Sequence, residues 1–152
     1  MPVTVGANLM SVVHKDSGGA SIAFPDVCQT PAAPSPVPIP YPNVAMSSDA
    51  ADTATSVKAD GHPLCTGDSN FSTSSGDEAG TLGGVVSGKN KGKAEFVNYS
   101  MDVKAEGKGL ARALDLMLHN DRNTPPTPLV QGPVVAVPGT DRPVCQICDE
   151  EL

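Results

Sequence analysis

The proline-rich stretch at residues 24–43, FPDVCQTPAAPSPVPIPYPN, constrains the fold of this 152-residue chain more strongly than any other feature. Seven of its twenty residues are proline. Proline fixes the backbone angle φ and carries no N–H, so the stretch is excluded from a helix and from a central strand. Apolar residues flank it, and from Val37 to Tyr41 every second residue is proline. This alternation favours an extended segment packed on the protein surface over a free polyproline linker.

Composition indicates a mainly β fold around that stretch. The chain contains 15 glycines and 15 prolines, aromatic residues make up 3%, and Trp is absent. This Gly and Pro content is too high for a helical bundle and too low for a disordered low-complexity chain. We therefore predict a single domain over residues 1–152, a small tapered β-cone of short strands and hairpins with proline-rich arms and at most one short helix.

The charge and the hydropathy pattern exclude several classes of partner. The net charge is −7 and there is no basic patch, which argues against nucleic acid and against an anionic membrane surface. No segment approaches the roughly 20 apolar residues of a membrane-spanning helix. The N-terminal residues lack a basic start followed by a long apolar run, so we expect no Sec-type signal peptide.

Two segments of the chain resemble each other. Residues 56–64 (SVKADGHPL) and 102–110 (DVKAEGKGL) both follow the pattern V-K-A-acid-G-x-x-L. A repeat of this kind predicts a duplicated supersecondary unit, here a hairpin with a glycine turn. Residues 3–13 are expected to form a further strand pair. Residues 111–119 are expected to form a short helix, with a strand as the alternative, and Val85-Val86 are expected to form a short strand.

A Cys-x-x-Cys pair near the C-terminus, Cys145 and Cys148, is the sharpest local motif. Two thiolates at this spacing can bind one Zn²⁺, but they supply only half of a site. A redox pair would be expected at a helix start in a βαβ setting, which is absent, and an incidental pair is the remaining alternative. We favour zinc, with the other ligands drawn from Cys28, Cys65, His14, His62 and His119.

Catalytic motifs are lacking. The chain has no G-x-S-x-G elbow, no H-E-x-x-H and no P-loop. The acidic pair Asp77-Glu78 is interpreted as a solvated turn, and the glycines between residues 83 and 92 as turns between strands. A small metallo- or thiol hydrolase that uses Cys28 with His14 or His119 is the least favoured interpretation.

Eight short motifs, in this order along the chain, resemble a PAAR-like domain of the PIPY-bearing kind: VHKDSGG, FPDVC, PVPIPYPN, GDEAG, GGVVSGK, GKAEF, DVKAEGK and LMLHN. The resemblance covers about residues 12–120. It implies a cone whose broad base docks on the blunt end of a trimeric valine–glycine repeat spike protein in a type VI secretion or related contractile injection system. It further implies a protein that resides in the bacterial cytoplasm before firing and is then exported by the contractile apparatus.

The resemblance also implies one structural Zn²⁺ at the apex, held by His and Cys. His119 falls where the family has a His-Gly ligand element, and Cys28 lies near the family's first ligand. Where the family can place another histidine, this chain has Ile39-Pro40-Tyr41, so the C-terminal cysteines are expected to replace it. The predicted ligand set is Cys28, His119, Cys145 and Cys148, with Cys65 and His14 as substitutes.

The resulting prediction is a non-enzymatic spike tip that sharpens the spike for membrane puncture and effector delivery. Its proline-rich C-terminal arm, with the Cys-x-x-Cys pair, would occupy about residues 124–152. The expected partners are the spike trimer, a toxin cargo and, transiently, the target membrane, with no nucleic acid. The main alternative is an adaptor that recruits a separate toxin to the spike.

Overall fold

The computed structural model describes residues 3–132, 135–136 and 143–144. Short strands and a single 3₁₀-helix, Ser47–Asp49, make up the regular structure of these residues. The strands are β1 (Gly6–Ala7), β2 (Met10–Ser11), β3 (Ala20–Thr30), β4 (Val37–Met46), β5 (Ala50–Ala51), β6 (Lys58–Ala59), β7 (His62–Pro63), β8 (Asn70–Phe71), β9 (Ala94–Phe96), β10 (Lys104–Ala105), β11 (Lys108–Gly109), β12 (Leu116–Leu118), β13 (Thr127–Val130), β14 (Val135–Ala136) and β15 (Pro143–Val144).

The predicted mainly β architecture is confirmed. Seven strands form one antiparallel sheet in the order β4-β3-β13-β12-β9-β8-β5, and the other strands pair as separate hairpins. Most of the predicted C-terminal arm, including Cys145 and Cys148, lies outside the described residues.

The proline-rich stretch is an ordered part of this sheet. Residues 37–46 form β4, which pairs along its length with β3 and lies at one edge of the sheet. The pairing shifts between Ala23 and Asp26, where β3 bulges. An edge strand tolerates proline because one side of its backbone needs no ladder partner. The prediction of an ordered, extended segment is therefore confirmed for residues 37–43. The exclusion from a central strand is wrong for residues 24–30, which belong to the interior strand β3, with Pro25 at its bulge.

Three hairpins, β1–β2, β6–β7 and β10–β11, meet in an approximate three-fold arrangement that we call the hairpin end. Each hairpin bridges the next in a closed cycle, through the pairs Val12↔Arg112, His14↔Leu64 and Thr66↔Leu110. A ring of backbone hydrogen bonds repeats the cycle, from Val13 N to Ala111 O, from Ala111 N to Cys65 O and from Cys65 N to Val13 O, at 2.9–3.1 Å.

The hairpin end has an apolar core of its own. Equivalent positions of the three hairpins supply most of it: Ala7, Ala59 and Ala105 from the first strands, and Val12, Leu64 and Leu110 after the second. A second core lies beneath the large sheet, where the rings of Phe71 and Phe96 meet edge to face with centroids 5.6 Å apart. Each hairpin also contributes one small or aliphatic residue to this second core, which connects the two cores. These residues are Val13, Cys65 and Ala111.

The large sheet extends away from the hairpin end. Gln131, just after β13, donates hydrogen bonds to Ser11 Oγ (2.8 Å) and Val12 O (2.9 Å), which ties the start of β3 to the first hairpin. From there β3 continues for eleven residues, or about 30 Å. We call the opposite end of the molecule, formed by the second half of β3, the loop at residues 31–36 and the loop at 82–89, the far end.

Two local predictions were wrong. Residues 111–119 do not form a helix; they turn at Leu114, which has a φ of 69°, and continue as β12. Asp115 causes this turn, because its carboxylate accepts the Arg112 N–H (2.7 Å) and competes with a helical bond. Val85 and Val86, predicted as strand, lie in a turn instead. The alternative prediction of a strand near Leu118 is confirmed.

Candidate functional site

The turns of the three hairpins share one backbone conformation. Asn8, Asp60 and Glu106 have φ values of 52°, 53° and 53°. The next residue in each turn also has a positive φ, at 68° for Leu9, 81° for Gly61 and 78° for Gly107. Two successive positive φ angles define the tight turn that joins adjacent antiparallel strands.

Each turn also holds the start of a neighbouring hairpin. Asp60 accepts the Thr4 N–H (3.1 Å), and Glu106 accepts the Ser56 N–H (2.8 Å). Asn8 completes the cycle by donating to the Asp102 carboxylate (2.8 Å). Bonds from the side chains and backbone of Ser56 and Thr55 hold the pKa of Glu106 down at about 2. The three-fold arrangement is thus repeated in the side chains as well as in the backbone.

Three equivalent valines lie at the hairpin end with part of their surface exposed. Val57 and Val103 pack against the hairpin core and are half-buried, and Val5 is 37% exposed. Each lies two residues before the buried alanine of its hairpin. The end of the molecule therefore presents the same apolar side chain three times around an approximate three-fold axis.

A second group of chemically notable side chains is buried toward the far end. Asp26, Cys28 and Asp77 each place a potential ligand atom within 4.8 Å of the others, and all three are buried. The thiol of Cys28 lies 3.6 Å from Asp26 Oδ1 and 3.8 Å from Asp77 Oδ2. Asp26 and Cys28 lie on the same face of β3 because they are two residues apart.

Three buried asparagines surround the Asp26 carboxylate. Asn43 donates to Asp26 Oδ2 (2.7 Å), and Asn120 donates to Oδ1 (3.2 Å). Asn123 makes a further short hydrogen bond to the same oxygen. Both oxygens of this fully buried carboxylate therefore accept hydrogen bonds, as a buried polar group requires.

Asp77 is less well satisfied. Its Oδ2 accepts the Lys91 N–H (3.0 Å), but among the described residues its buried Oδ1 has no hydrogen-bond partner. Burial and the adjacent Asp26 carboxylate raise the pKa of Asp77. Burial, together with both aspartates, also raises the pKa of the Cys28 thiol to about 12. A site with two carboxylates and a thiol is stabilised either by a shared proton or by a bound cation.

Glycines give this group the space that it occupies. A Cβ at Gly80 would clash with Cys28, and one at Gly84 would clash with Asn123. The segment 76–92 therefore approaches β3 more closely than a chain with side chains at these positions could. The expectation that the glycines of residues 83–92 form turns is confirmed.

The structure distributes the predicted ligands among different places. His119 is fully buried, and its Nε2 lies 2.9 Å from Ser21 Oγ. Its Nδ1 has no hydrogen-bond partner in the part of the chain that the structure describes, and burial lowers its pKa to about 4. It is not among the residues grouped with Cys28. Cys65 is buried in the apolar core, and His14 lies at the hairpin end beside Asp60 (3.3 Å).

Sequence reasoning overlooked the aspartates and asparagines of the far end. The prediction of a solvated turn at Asp77-Glu78 is wrong for Asp77, which is fully buried, whereas Glu78 is exposed. One signal was present: Asp26 and Cys28 are two residues apart in an extended segment, so they share one face, and cysteine is a residue type that is usually buried. Nothing in the sequence connected them to Asp77, because that contact spans 49 residues.

The structure is that of a small, mainly β domain with an approximately three-fold hairpin end and a buried group of Asp26, Cys28 and Asp77. The chain belongs to the toxin PAAR-like domain family, whose sequence model matches residues 19–126. It is also similar to the DNase toxin Tse7 of Pseudomonas aeruginosa, with 43% identity over 129 residues. The alignment covers 80% of this chain and 33% of that protein, so the chain spans about a third of its relative's length. No solved structure matches the chain.

The resemblance drawn from the eight sequence motifs is thus confirmed at the level of the family. Among the helices of the described residues, none is long and apolar enough to cross a membrane.

Proposed function

We propose that this chain is the tip of a trimeric spike in a type VI secretion or related contractile injection system, and that it docks through its hairpin end. The observation that carries this proposal is the approximate three-fold arrangement of that end. A single chain can contact three identical subunits equally only if it presents similar groups three times around one axis. The three turns, the bridged strands and the valines at positions 5, 57 and 103 meet this requirement.

The rest of the molecule is consistent with this role. The sheet extends away from the hairpin end, and the far end is stiffened by buried hydrogen bonds and by glycine-permitted close packing. Before firing, the protein would reside in the bacterial cytoplasm, and it would leave the cell with the spike. The chain itself would have a structural role, and the DNase activity named for Tse7 is not proposed for these residues.

Mixing the chain with the trimeric valine–glycine repeat spike protein tests the proposal. Size-exclusion chromatography with light scattering should detect a complex of one chain with one trimer. Replacing Val5 with Glu should weaken the complex at least tenfold, because a charge would be placed in an apolar contact. Val86→Glu is the matched control, since Val86 is 79% exposed and lies at the far end. Absence of a complex with the native chain, or equal loss of binding in both variants, would contradict the proposal.

We further propose that one Zn²⁺ binds near Cys28. The donor set supports this proposal, because thiolate and carboxylate groups are ordinary zinc ligands and Asp77 Oδ1 has no partner within residues 3–132, 135–136 and 143–144. A bound cation would favour the ionised forms of both groups. Either Asp26 and Asp77 complete the site, or His119 and the two C-terminal cysteines do so, as predicted from the sequence.

Metal analysis of two variants separates these ligand sets. If the buried aspartates hold the ion, Asp77→Asn should purify with little zinc, and the double variant Cys145→Ser/Cys148→Ser should retain it. The reverse result would support the sequence-derived set. A native protein that contains no bound metal after purification in zinc-supplemented buffer would refute both.

An adaptor that recruits a separate toxin is the second candidate. An exposed apolar strip, formed by Val97 (47% exposed), Tyr99 (44%) and Met101 (89%), supports it. Open cavities of about 380 and 720 Å³ lie beside this strip. Co-purification with a toxin encoded beside the chain, lost on Met101→Glu, would favour the adaptor role.

A further inference from the structure

The backbone of β3 has two distinct sides. Gln29 donates its N–H to Gly83 O (2.8 Å) and accepts from Leu82 N (3.2 Å), and Val27 O accepts from Val85 N (2.9 Å). The polar backbone groups of residues 27 and 29 therefore point toward the loop at 82–89. Because these groups alternate in a strand, residues 26, 28 and 30 direct theirs toward β4.

The register then determines which residues of β4 point inward. The partners of Asp26, Cys28 and Thr30 are Tyr41, Ile39 and Val37, respectively. These three residues of β4 face β3 with their N–H and C=O groups. The residues between them direct their backbone groups to the outer side of the sheet.

The outward-facing positions of β4 are 38, 40, 42 and 44. Val44 confirms this alternation, because its N–H donates to Ser75 O (2.7 Å) and its carbonyl accepts from Ser75 N (2.8 Å) on the outer side. The other three positions are Pro38, Pro40 and Pro42. Every outward position from 38 to 44 thus either uses its N–H or lacks one.

Within the described residues, other parts of the chain cover the outer side of β4 at Val44 and Pro42 and leave it open at Pro38 and Pro40. Ser75 covers the edge at Val44, and Gly76 packs directly against the carbonyl of Pro42. Farther along the strand, residues 37–40 are exposed, and the side chains of Val37 (45%) and Ile39 (37%) remain partly accessible. An exposed apolar edge strand normally invites pairing with another strand.

We propose that Pro38, Pro40 and Pro42 close this edge against strand addition by a second copy of the chain. An added antiparallel strand needs an N–H donor at every second position of the edge, and here three successive donors are absent. The opposite edge of the sheet, β5, is only two residues long and offers little to pair with. The alternating prolines thereby keep the chain from dimerising through β4, a property that does not depend on the proposed docking or on metal.

Replacing the three prolines restores the missing backbone N–H donors and so tests the proposal. The variant Pro38→Thr/Pro40→Thr/Pro42→Thr should associate through β4, so that light scattering over a concentration series shows the mass rising from one chain to two. The native chain should remain a monomer over the same range. In a matched control, Pro31→Thr/Pro36→Thr/Pro125→Thr, three exposed prolines outside β4 are replaced, and this variant should also remain a monomer.

A charged variant distinguishes strand pairing at the edge from nonspecific association. Pro38→Lys/Pro40→Lys/Pro42→Lys restores the same donors but adds charges that oppose pairing, so it should stay monomeric. Circular dichroism checks that each variant is folded. If the threonine triple variant does not fold, Pro40→Thr alone restores the central donor, and chemical cross-linking should then trap more dimer than in the native chain. The proposal is overturned if the native chain dimerises, if the folded threonine variant (or Pro40→Thr in its place) shows no added association, or if the control or lysine variant associates equally.

Discussion

At the scale of single residues, buried polar side chains carry much of what is specific to this protein. Asp26 is held by three asparagine amides, whereas Asp77 Oδ1 has no partner within the described part of the chain. At the hairpin end, the imidazoles of His14 and His62 stack with their centroids 5.3 Å apart, flanked by Asp16 and Asp60. A buried group whose pKa differs between the folded and the unfolded chain makes the stability depend on pH.

The buried imidazole of His14 predicts a loss of stability in mild acid. Burial lowers its pKa from 6.5, with Asp60 only partly opposing this effect. Its Nδ1 accepts the Asp16 N–H (3.2 Å), which requires the neutral ring. The contribution of His14 is therefore present above pH 6.5 and is lost as the pH falls through the lower pKa of the folded state. The free energy of unfolding of His14→Gln, measured by denaturant titration, should fall less than that of the native chain across this range.

His62, which is half-exposed, provides the control for that experiment. The variant His62→Gln should keep the acid-dependent loss of the native chain. An identical pH profile for native protein and His14→Gln would show that another group is responsible.

Replacing Gly80 with alanine should disturb the packing of Cys28 in the buried group that it forms with Asp26 and Asp77. A Cβ at this position would overlap Cys28, so Gly80→Ala must displace either the loop or β3. We expect the free energy of unfolding to fall by about 1–3 kcal/mol. Gly132→Ala, whose Cβ would meet no atom within 4 Å, should change it by less than about 0.5 kcal/mol. Equal melting temperatures for the two variants would contradict this packing.

At the scale of elements, the hairpins show how one motif is built from unequal sequences. The second and third hairpins carry glycine at the second turn position, as the V-K-A-acid-G pattern predicts. The first hairpin has Leu9 there, in the same left-handed conformation. The sequence repeat therefore covers two of the three copies, because the first lacks the glycine and the lysine that the other two share.

Exchanging these turn residues tests their equivalence. Leu9→Gly should raise the free energy of unfolding by about 0.5–1 kcal/mol, because the strain of a positive φ exceeds the entropy that glycine costs. Leu9 is 53% exposed, so little burial is lost. Gly61→Leu should lower it by a similar amount. Thermal melts that move in the same direction for both variants would contradict this account.

At the scale of the whole molecule, two small cores are joined along a chain that has few aromatic residues. One core serves the hairpin end and the other lies beneath the sheet. Neither core reaches the far end, where polar contacts replace apolar packing. A bound ion would stabilise that end at a place where hydrophobic burial contributes little.

Removing the metal tests whether a bound ion stabilises the far end. With free zinc a thousandfold above its dissociation constant, chelation should lower the free energy of unfolding by about 4 kcal/mol. For a chain of this length, that corresponds to a fall of about 10 °C in the melting temperature. Cys28→Ser should melt at the chelated temperature with or without zinc. A native chain whose melting is insensitive to chelator would remove the stabilising role of the ion.

The amino-acid sequence was enough to predict the family, the mainly β class and the extended course of the proline-rich residues 37–43. These follow from local facts: ordered motifs, glycine and proline content, and the missing N–H groups of proline. It also predicted the three hairpins, two from the V-K-A-acid-G repeat and the first as a strand pair over residues 3–13, although not their equivalence.

The three-fold closure of the hairpin end and the meeting of Asp77 with Asp26 and Cys28 appear only in the folded chain. Both depend on contacts between residues 44 or more positions apart, whose pairing no local pattern encodes. For the same reason Asp77, which has the sequence neighbours of a solvated turn, is buried. A side chain's environment is set by whatever the folded chain brings against it, and here the glycines of residues 76–92 let that loop close over β3.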